Sequence, residues 1–375
     1  MSPTNMLRAL CYRARESTSE PVIKNLQILR FLAAACVLFE HTQYESTTRP
    51  FIDNSQYQLV DFFFWPGGVD IFFVISGFIM YTIGRHQFAR PAASTDFMLR
   101  RIIRVVPSYW VFTTLMIVAA AVFSGSVDKG SMSVLDIVRS YLFIPYVNAY
   151  GGYYPVLSLG WTLNYEMFFY VLFAIALLFD ARRGMLFVIS SLTVLGVVGM
   201  TGLVTVPVLA FWFNSIVLEF VFGIGLAWLY QKGWRLSLFA GLGLFIAGLL
   251  LVMLGKHHHL DLTALNCRAL WLGLPALMMC AGLVMIEKPG TAPGIVRALV
   301  FGGNISFALY LSHPFAINVT ALLAKKADIH QPWLFMSLAM LCALCAAAFF
   351  YLAIEKPVTR VLNGLIRKRA VPQST

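Results

Sequence analysis

Charge is what this 375-residue chain has least of: Asp, Glu, Lys and Arg make up only 12% of it, against the roughly one quarter usual in soluble domains. With 59% hydrophobic residues, that shortage excludes an ordinary soluble globular protein. Acidic residues are the scarcer sign, 17 against 28 basic, yet the basic residues fall in short patches between apolar segments. Such patches suit loops facing anionic lipid better than a nucleic-acid surface. Cysteine is sparse too, with six in all; Cys36, Cys280, Cys342 and Cys345 lie in apolar stretches and Cys11 precedes the first of them, so no disulfide framework is visible. The sequence has no P-loop, no Rossmann glycine pattern and no zinc-ligand spacing. Its one histidine run, His257-His258-His259, sends neighbouring side chains in different directions, and no metal site is expected there.

What is present is a series of apolar stretches, each near the ~20 residues that cross a hydrocarbon core. They fall at 26–43, 62–83, 105–123, 158–179, 185–203, 208–230, 236–255, 268–287, 302–324 and 332–354. The expected fold is an all-α integral membrane bundle of about ten transmembrane helices with both termini cytoplasmic. With that orientation 20 basic residues lie on inner segments and 7 on outer ones, Arg30 in the first span completing the 28, as the positive-inside rule requires. Residues 1–25 read as a cytoplasmic tail without the apolar core and cleavage site of a signal peptide, 26–356 as the transmembrane domain, and 357–375 as a basic cytoplasmic tail. The long outer segment Ser124 to Leu159 carries an aromatic stretch from Tyr141 to Tyr154 and either lies on the membrane or folds back as a lid. The tripeptide Glu-Lys-Pro, at Glu287 to Pro289 and at Glu355 to Pro357, is expected to end helices.

Ionisable residues within spans mark functional sites, which singles out Arg30, His41, Asp70, Glu166, Glu219 and His313. Arg30 and His41 are eleven residues apart, three helical turns plus about 20°, so both point the same way with an axial separation of roughly 16 Å. A snorkelling arginine and a satisfied interfacial histidine account for the pair equally well. Asp70 stands near the depth expected of His41, where it either orients the imidazole or bonds a neighbouring helix. Glu166 follows Trp161 in the fourth span, and His313 precedes Pro314, whose missing N–H favours a kink. Arg101 and Arg104 share a face one turn apart beside Arg100. Topology alone would put positive charge there. Ser76-Gly77 is a small-residue spot suited to close helix approach.

Five motifs in order resemble those of the membrane-bound acyltransferase family 3. They are Arg30 with His41 after ten intervening residues, Gly68 to Phe78 ending Ser-Gly-Phe, Phe97 to Pro107 with its three arginines, Trp161-Thr162-Leu163 with Glu166, and Tyr310-Leu311 with His313-Pro314. The resemblance is to the exopolysaccharide O-acetyltransferase type without a fused soluble domain. It implies an inner-membrane acyltransferase that takes acetyl from acetyl-CoA as co-substrate, with no metal, and places it on a carbohydrate acceptor beside the polysaccharide biosynthesis machinery. Membrane lipid, and no nucleic acid, completes the expected set of partners. It further implies His41 as base or acyl carrier, with Arg30, Asp70 and Glu166 assisting. Arg100, Arg101 and Arg104 are then expected on the coenzyme's phosphates, with Ser76, Trp161, Tyr310 and His313 lining the site. Arg30 or a backbone amide is the expected oxyanion partner. Three rivals stand beside this reading: the same fold with a succinyl or other short acyl donor, a carbohydrate transporter or flippase, and a scaffold for a polysaccharide synthase.

Overall fold

The computed structural model describes residues 23–55, 57–122, 133–149, 151–258, 267–286 and 293–369, with side chains through residue 366. Most of the N-terminal tail, residues 124–132 and 150 of the Ser124–Leu159 segment, His259, the tripeptide at Glu287 and the end of the C-terminal tail lie outside the described residues. Among the described residues every regular element is helical.

The helices are α1 (Lys24–Thr48), α2 (Gly68–Gly84), α3 (Ala93–Val122), α4 (Val134–Tyr141), α5 (Gly160–Ala176), α6 (Ala181–Met200), α7 (Pro207–Trp212), α8 (Leu218–Gln231), α9 (Leu238–His257), α10 (Leu274–Val284), α11 (Gly294–Lys326), α12 (Pro332–Phe350) and α13 (Lys356–Arg369). A π-helical turn, Ala269–Gly273, leads into α10, and a second, Tyr351–Glu355, joins α12 to α13. All ten segments expected as spans are helical, but seven stretches among the described residues combine the length and apolarity to cross a membrane by themselves. The other three differ for physical reasons: α1 is 25 residues long but carries Lys24, Arg30, Glu40 and Glu45, α5 is 17 residues, and Ala269–Val284 is a shorter apolar helix. Large apolar side chains stand exposed on the outer faces of α6, α9 and α12, among them Leu186, Val194, Leu250, Leu254, Leu341 and Phe349. A belt of this kind belongs in lipid rather than water.

Glycines set how closely the central helices approach. A Cβ on Gly77 of α2 would lie 2.1 Å from the Phe220 carbonyl oxygen, and one on Gly223 of α8 would lie 2.0 Å from that of Val74, so α2 and α8 cross backbone to backbone. A Cβ on Gly68 would meet the Ala33 carbonyl oxygen at 2.4 Å. The first turn of α2 therefore sits opposite Ala33, eight residues or about 12 Å below His41 along α1. Residues 57–67 return to that depth, and Phe62, Phe63 and Phe39 pack around Trp65 on the way.

The described part of the segment before α5 packs back against α3. The Trp110 indole donates to the Tyr141 carbonyl at 3.0 Å and the Thr114 hydroxyl bonds that of Tyr141 at 2.6 Å. Trp110 lies twelve residues, about 18 Å, short of the end of α3. Helix α5 starts where Gly160 meets Tyr109, so its first turn is buried in the bundle rather than at the surface. Irregular backbone at such depth is tolerated where protein surrounds it.

Candidate active site

Helices α1 and α11 run side by side, and in their C-terminal halves they bring two histidines together. His313 Nε2 lies 2.8 Å from His41 Nδ1, and His313 Nδ1 lies 3.0 Å from the Leu309 carbonyl. Pro314 has no N–H to give the helix, and His313 turns its Nδ1 back onto the carbonyls of Leu309 and Tyr310 in the preceding turn. A carbonyl only accepts, so Nδ1 of a neutral His313 carries the proton and its Nε2 carries the lone pair. That lone pair accepts from the Nδ1–H of His41. The remaining nitrogen, His41 Nε2, is left as an unprotonated lone pair. The network thus assigns both tautomers and leaves His41 able to take a proton at one defined atom.

Below the histidines a cavity of about 470 Å³ runs down through the bundle. Val69, Phe72, Thr162 and Tyr310 line its upper end, where the Tyr310 ring lies 6.3 Å from that of His313. The Tyr310 hydroxyl is fixed by Thr162 Oγ1 at 2.9 Å and donates to the Leu159 carbonyl at 3.1 Å. Ser76, Glu166, Tyr170 and Arg30 line the middle. The Glu166 carboxylate accepts from the Tyr170 hydroxyl in a short hydrogen bond and from Ser76 Oγ at 3.4 Å. Arg100, Arg101 and Arg104 form the lower end. Arg104 pairs with the buried Glu355 and lies 5.4 Å from the Phe307 ring centre, while Arg101 sits over Phe97 and Tyr170. Four guanidinium groups, Arg30 included, thus face two carboxylates, Glu166 and Glu355. The excess of positive charge in a partly enclosed space is a receptor for anions.

Most of the sequence-expected residues meet along this one passage: Arg30, Ser76, Arg100, Arg101, Arg104, Glu166 and Tyr310 line it, and the His41–His313 pair lies beside Tyr310, outside the lining itself. Arg30 lies near Arg104, Glu166 and Glu355, at the charged end. That placement puts it with the anion receptor and far from the oxyanion of a reaction at His41. Asp70 is placed differently from expectation. Because α2 starts about 12 Å below His41, Asp70 lies deeper still, and both its oxygens accept from Arg268, at 2.9 Å each. His313, not Asp70, orients His41. Trp161 also stands outside the passage, on the face of α5 opposite Glu166, 5.6 Å above the Arg268 guanidinium and 6.1 Å from Tyr165.

Arg268 and Glu355 are the residues that sequence reading missed. Arg268 stands at the first position of the expected span 268–287, and it is buried in an ionic cluster with Asp70 and Glu219. Glu355 was read as part of a helix stop, but the helix continues through Pro357 because the π turn at Tyr351–Glu355 absorbs the bond that proline cannot make. An acidic residue closing an apolar run was the available signal. Among the described residues no cluster of three metal-ligating side chains comes together.

An all-helical bundle with an exposed apolar belt and a histidine pair near a cationic cavity fits a membrane acyltransferase. A model of the acyltransferase domain matches residues 23–352, most of the chain, and the chain belongs to the membrane-bound acyltransferase family 3. It is an acyltransferase enzyme and a multi-pass membrane protein. It is 32% identical over 298 residues, covering 78% of this chain and 89% of the relative, to the exopolysaccharide production protein ExoZ of Rhizobium meliloti (strain 1021). No solved structure matches it.

Proposed function

We propose that this protein moves an acetyl group from cytoplasmic acetyl-coenzyme A to a hydroxyl of an extracellular polysaccharide or its lipid-linked precursor, as a ten-span protein of the inner membrane. The observation that carries the reading is one cavity lined both by the arginine cluster and by Tyr310, whose ring lies 6.3 Å from that of His313 in the His41–His313 pair. Its length suits the donor. The pantetheine arm has thirteen bonds between phosphorus and sulfur, which at about 3.5 Å per three bonds extends about 15 Å. The axial separation of Arg30 and His41 is about 16 Å. Phosphates held among Arg100, Arg101 and Arg104 therefore bring the thioester to the level of His41. The similarity to a protein of exopolysaccharide production supports a carbohydrate acceptor.

In this reading His41 Nε2 takes the proton of the acceptor hydroxyl while its oxygen attacks the thioester carbonyl carbon. The tetrahedral intermediate then collapses with cleavage of the C–S bond. The imidazolium returns the proton to the departing sulfur as free thiol, so the reaction balances with no further reactant. His313 holds the imidazole in the required tautomer throughout.

The test is the ester-bound acetyl content of extracellular polysaccharide from cells carrying the intact protein, His41→Ala or neither, at matched membrane levels. Acetyl that requires the intact protein and disappears with His41→Ala supports the reading. Equal acetyl in all three removes it and turns attention to another acyl group or to sugar transport.

A further inference from the structure

We propose that α13 forms a second wall of the donor site, in which Thr359 and Asn363 bind the adenine and ribose end of the acyl-coenzyme A donor. The inference rests on the acyl-coenzyme A reading above and adds the residues that recognise the nucleotide. Thr359 and Asn363 line the same cavity as Arg100, Arg101 and Arg104. With Glu355 they form a stripe at i, i+4 and i+8, one face of a helix.

The register of that stripe comes from the π turn. The face of α12 buried in the bundle is Ala339, Ala343, Ala347 and Phe350, and an unbroken α-helix would continue it through Ile354, Val361 and Leu365. Those three apolar residues are instead exposed, while Glu355 is buried and Thr359 and Asn363 face the cavity. The extra residue in the π turn at Tyr351–Glu355 rotates everything after it by about 100° and turns a polar stripe inward at the expense of an apolar one. Such a turn has a cost in helix geometry and is found where a side chain must be re-aimed. Two atoms beside it point the same way: Glu355 Oε2 and Arg101 Nε are buried without a partner. The asparagine amide offers the paired acceptor and donor that match the adenine N6–H and N7 edge, and the threonine hydroxyl suits a ribose oxygen.

The experiment compares coenzyme A with 4′-phosphopantetheine, which lacks the nucleotide, as ligands of the purified full-length protein in detergent. Thr359→Ala/Asn363→Ala is expected to weaken coenzyme A roughly tenfold and to leave 4′-phosphopantetheine within about twofold. Asn363→Asp, similar in shape but without the amide donor, should weaken coenzyme A comparably, and thermal unfolding checks that all variants remain folded. Equal loss for both probes, or no loss for either, overturns the assignment. Equal affinity of the unaltered protein for both probes also overturns it while sparing the donor reading. If the unaltered protein binds neither probe, both ideas fall together.

Discussion

Replacing His313 with leucine probes the tautomer assignment. The substitution removes the acceptor of His41 Nδ1–H, which in the native arrangement lies 2.8 Å from His313 Nε2. An unpaired buried donor costs about 1–3 kcal/mol, and His41 can relieve it by moving its proton to Nε2, the atom that must be bare to act as base. A ground state shifted by that amount lowers the rate by a factor of about 5 to 150. Removing the base itself with His41→Ala should cost more, about 10² to 10⁴. Glutamine at position 313 restores an acceptor for Nδ1–H and should recover most of the loss. Because both residues serve one proton transfer, His41→Ala/His313→Leu should be no slower than His41→Ala alone. Acetyl transfer in isolated membranes, normalised to protein amount, measures all four. Full activity in His313→Leu, no recovery with glutamine, or additive losses in the double variant would each refute the tautomer argument.

Three further outcomes follow from other parts of the molecule. Asp70→Asn removes the carboxylate that both nitrogens of the buried Arg268 bond directly and should destabilise the protein by about 3–5 kcal/mol, read as earlier thermal unfolding in detergent. Gly77→Ala forces a methyl into the Phe220 carbonyl and should sharply reduce the yield of folded protein, whereas alanine at Gly225, which has open space around it, should not. His330, between α11 and α12, bonds the Phe51 carbonyl at 2.6 Å and Asp328 at 2.9 Å, and these two acceptors raise its pKa above the usual histidine value. Its contribution to stability is fully present below the unfolded-state pKa and is lost as pH rises through the raised folded value, so His330→Asn should flatten that part of a stability-against-pH curve.

The helices and the passage were legible because periodicity and intramembrane charge survive any detail of packing. Arg30 and His41 stand on one side of one helix, and their relation follows from helix geometry alone. The three arginines and Glu166 then converge with them in space. The depth of Asp70 was not legible, since it depends on how far residues 57–67 return, and an aromatic run such as Phe62-Phe63-Phe64-Trp65 reads equally as span or as inserted loop. The partner of His41 was hidden for a related reason: pairing across 272 positions is set by the packing of α1 on α11. Arg268 and Glu355 sit at the ends of apolar runs, where an ordinary boundary residue and a buried ion look alike. The π turn had no signature except a polar stripe one residue out of phase with the apolar one.

The early burial of the first turns of α2 and α5 has a consequence for how a group could be carried between two compartments. Helices of 17 residues are about 26 Å long, less than the ~30 Å thickness of a hydrocarbon core, and α2 starts about 12 Å below His41. A carrier usually solves such a crossing by rocking, exposing one site first to one side and then to the other. In the acyl-coenzyme A reading proposed above, the reach of a flexible tether, anchored by its phosphates, would cover the distance instead. The scaffold can stay still while the cargo swings, and turnover would then depend on how quickly tethers and acceptors exchange rather than on any rearrangement of the bundle.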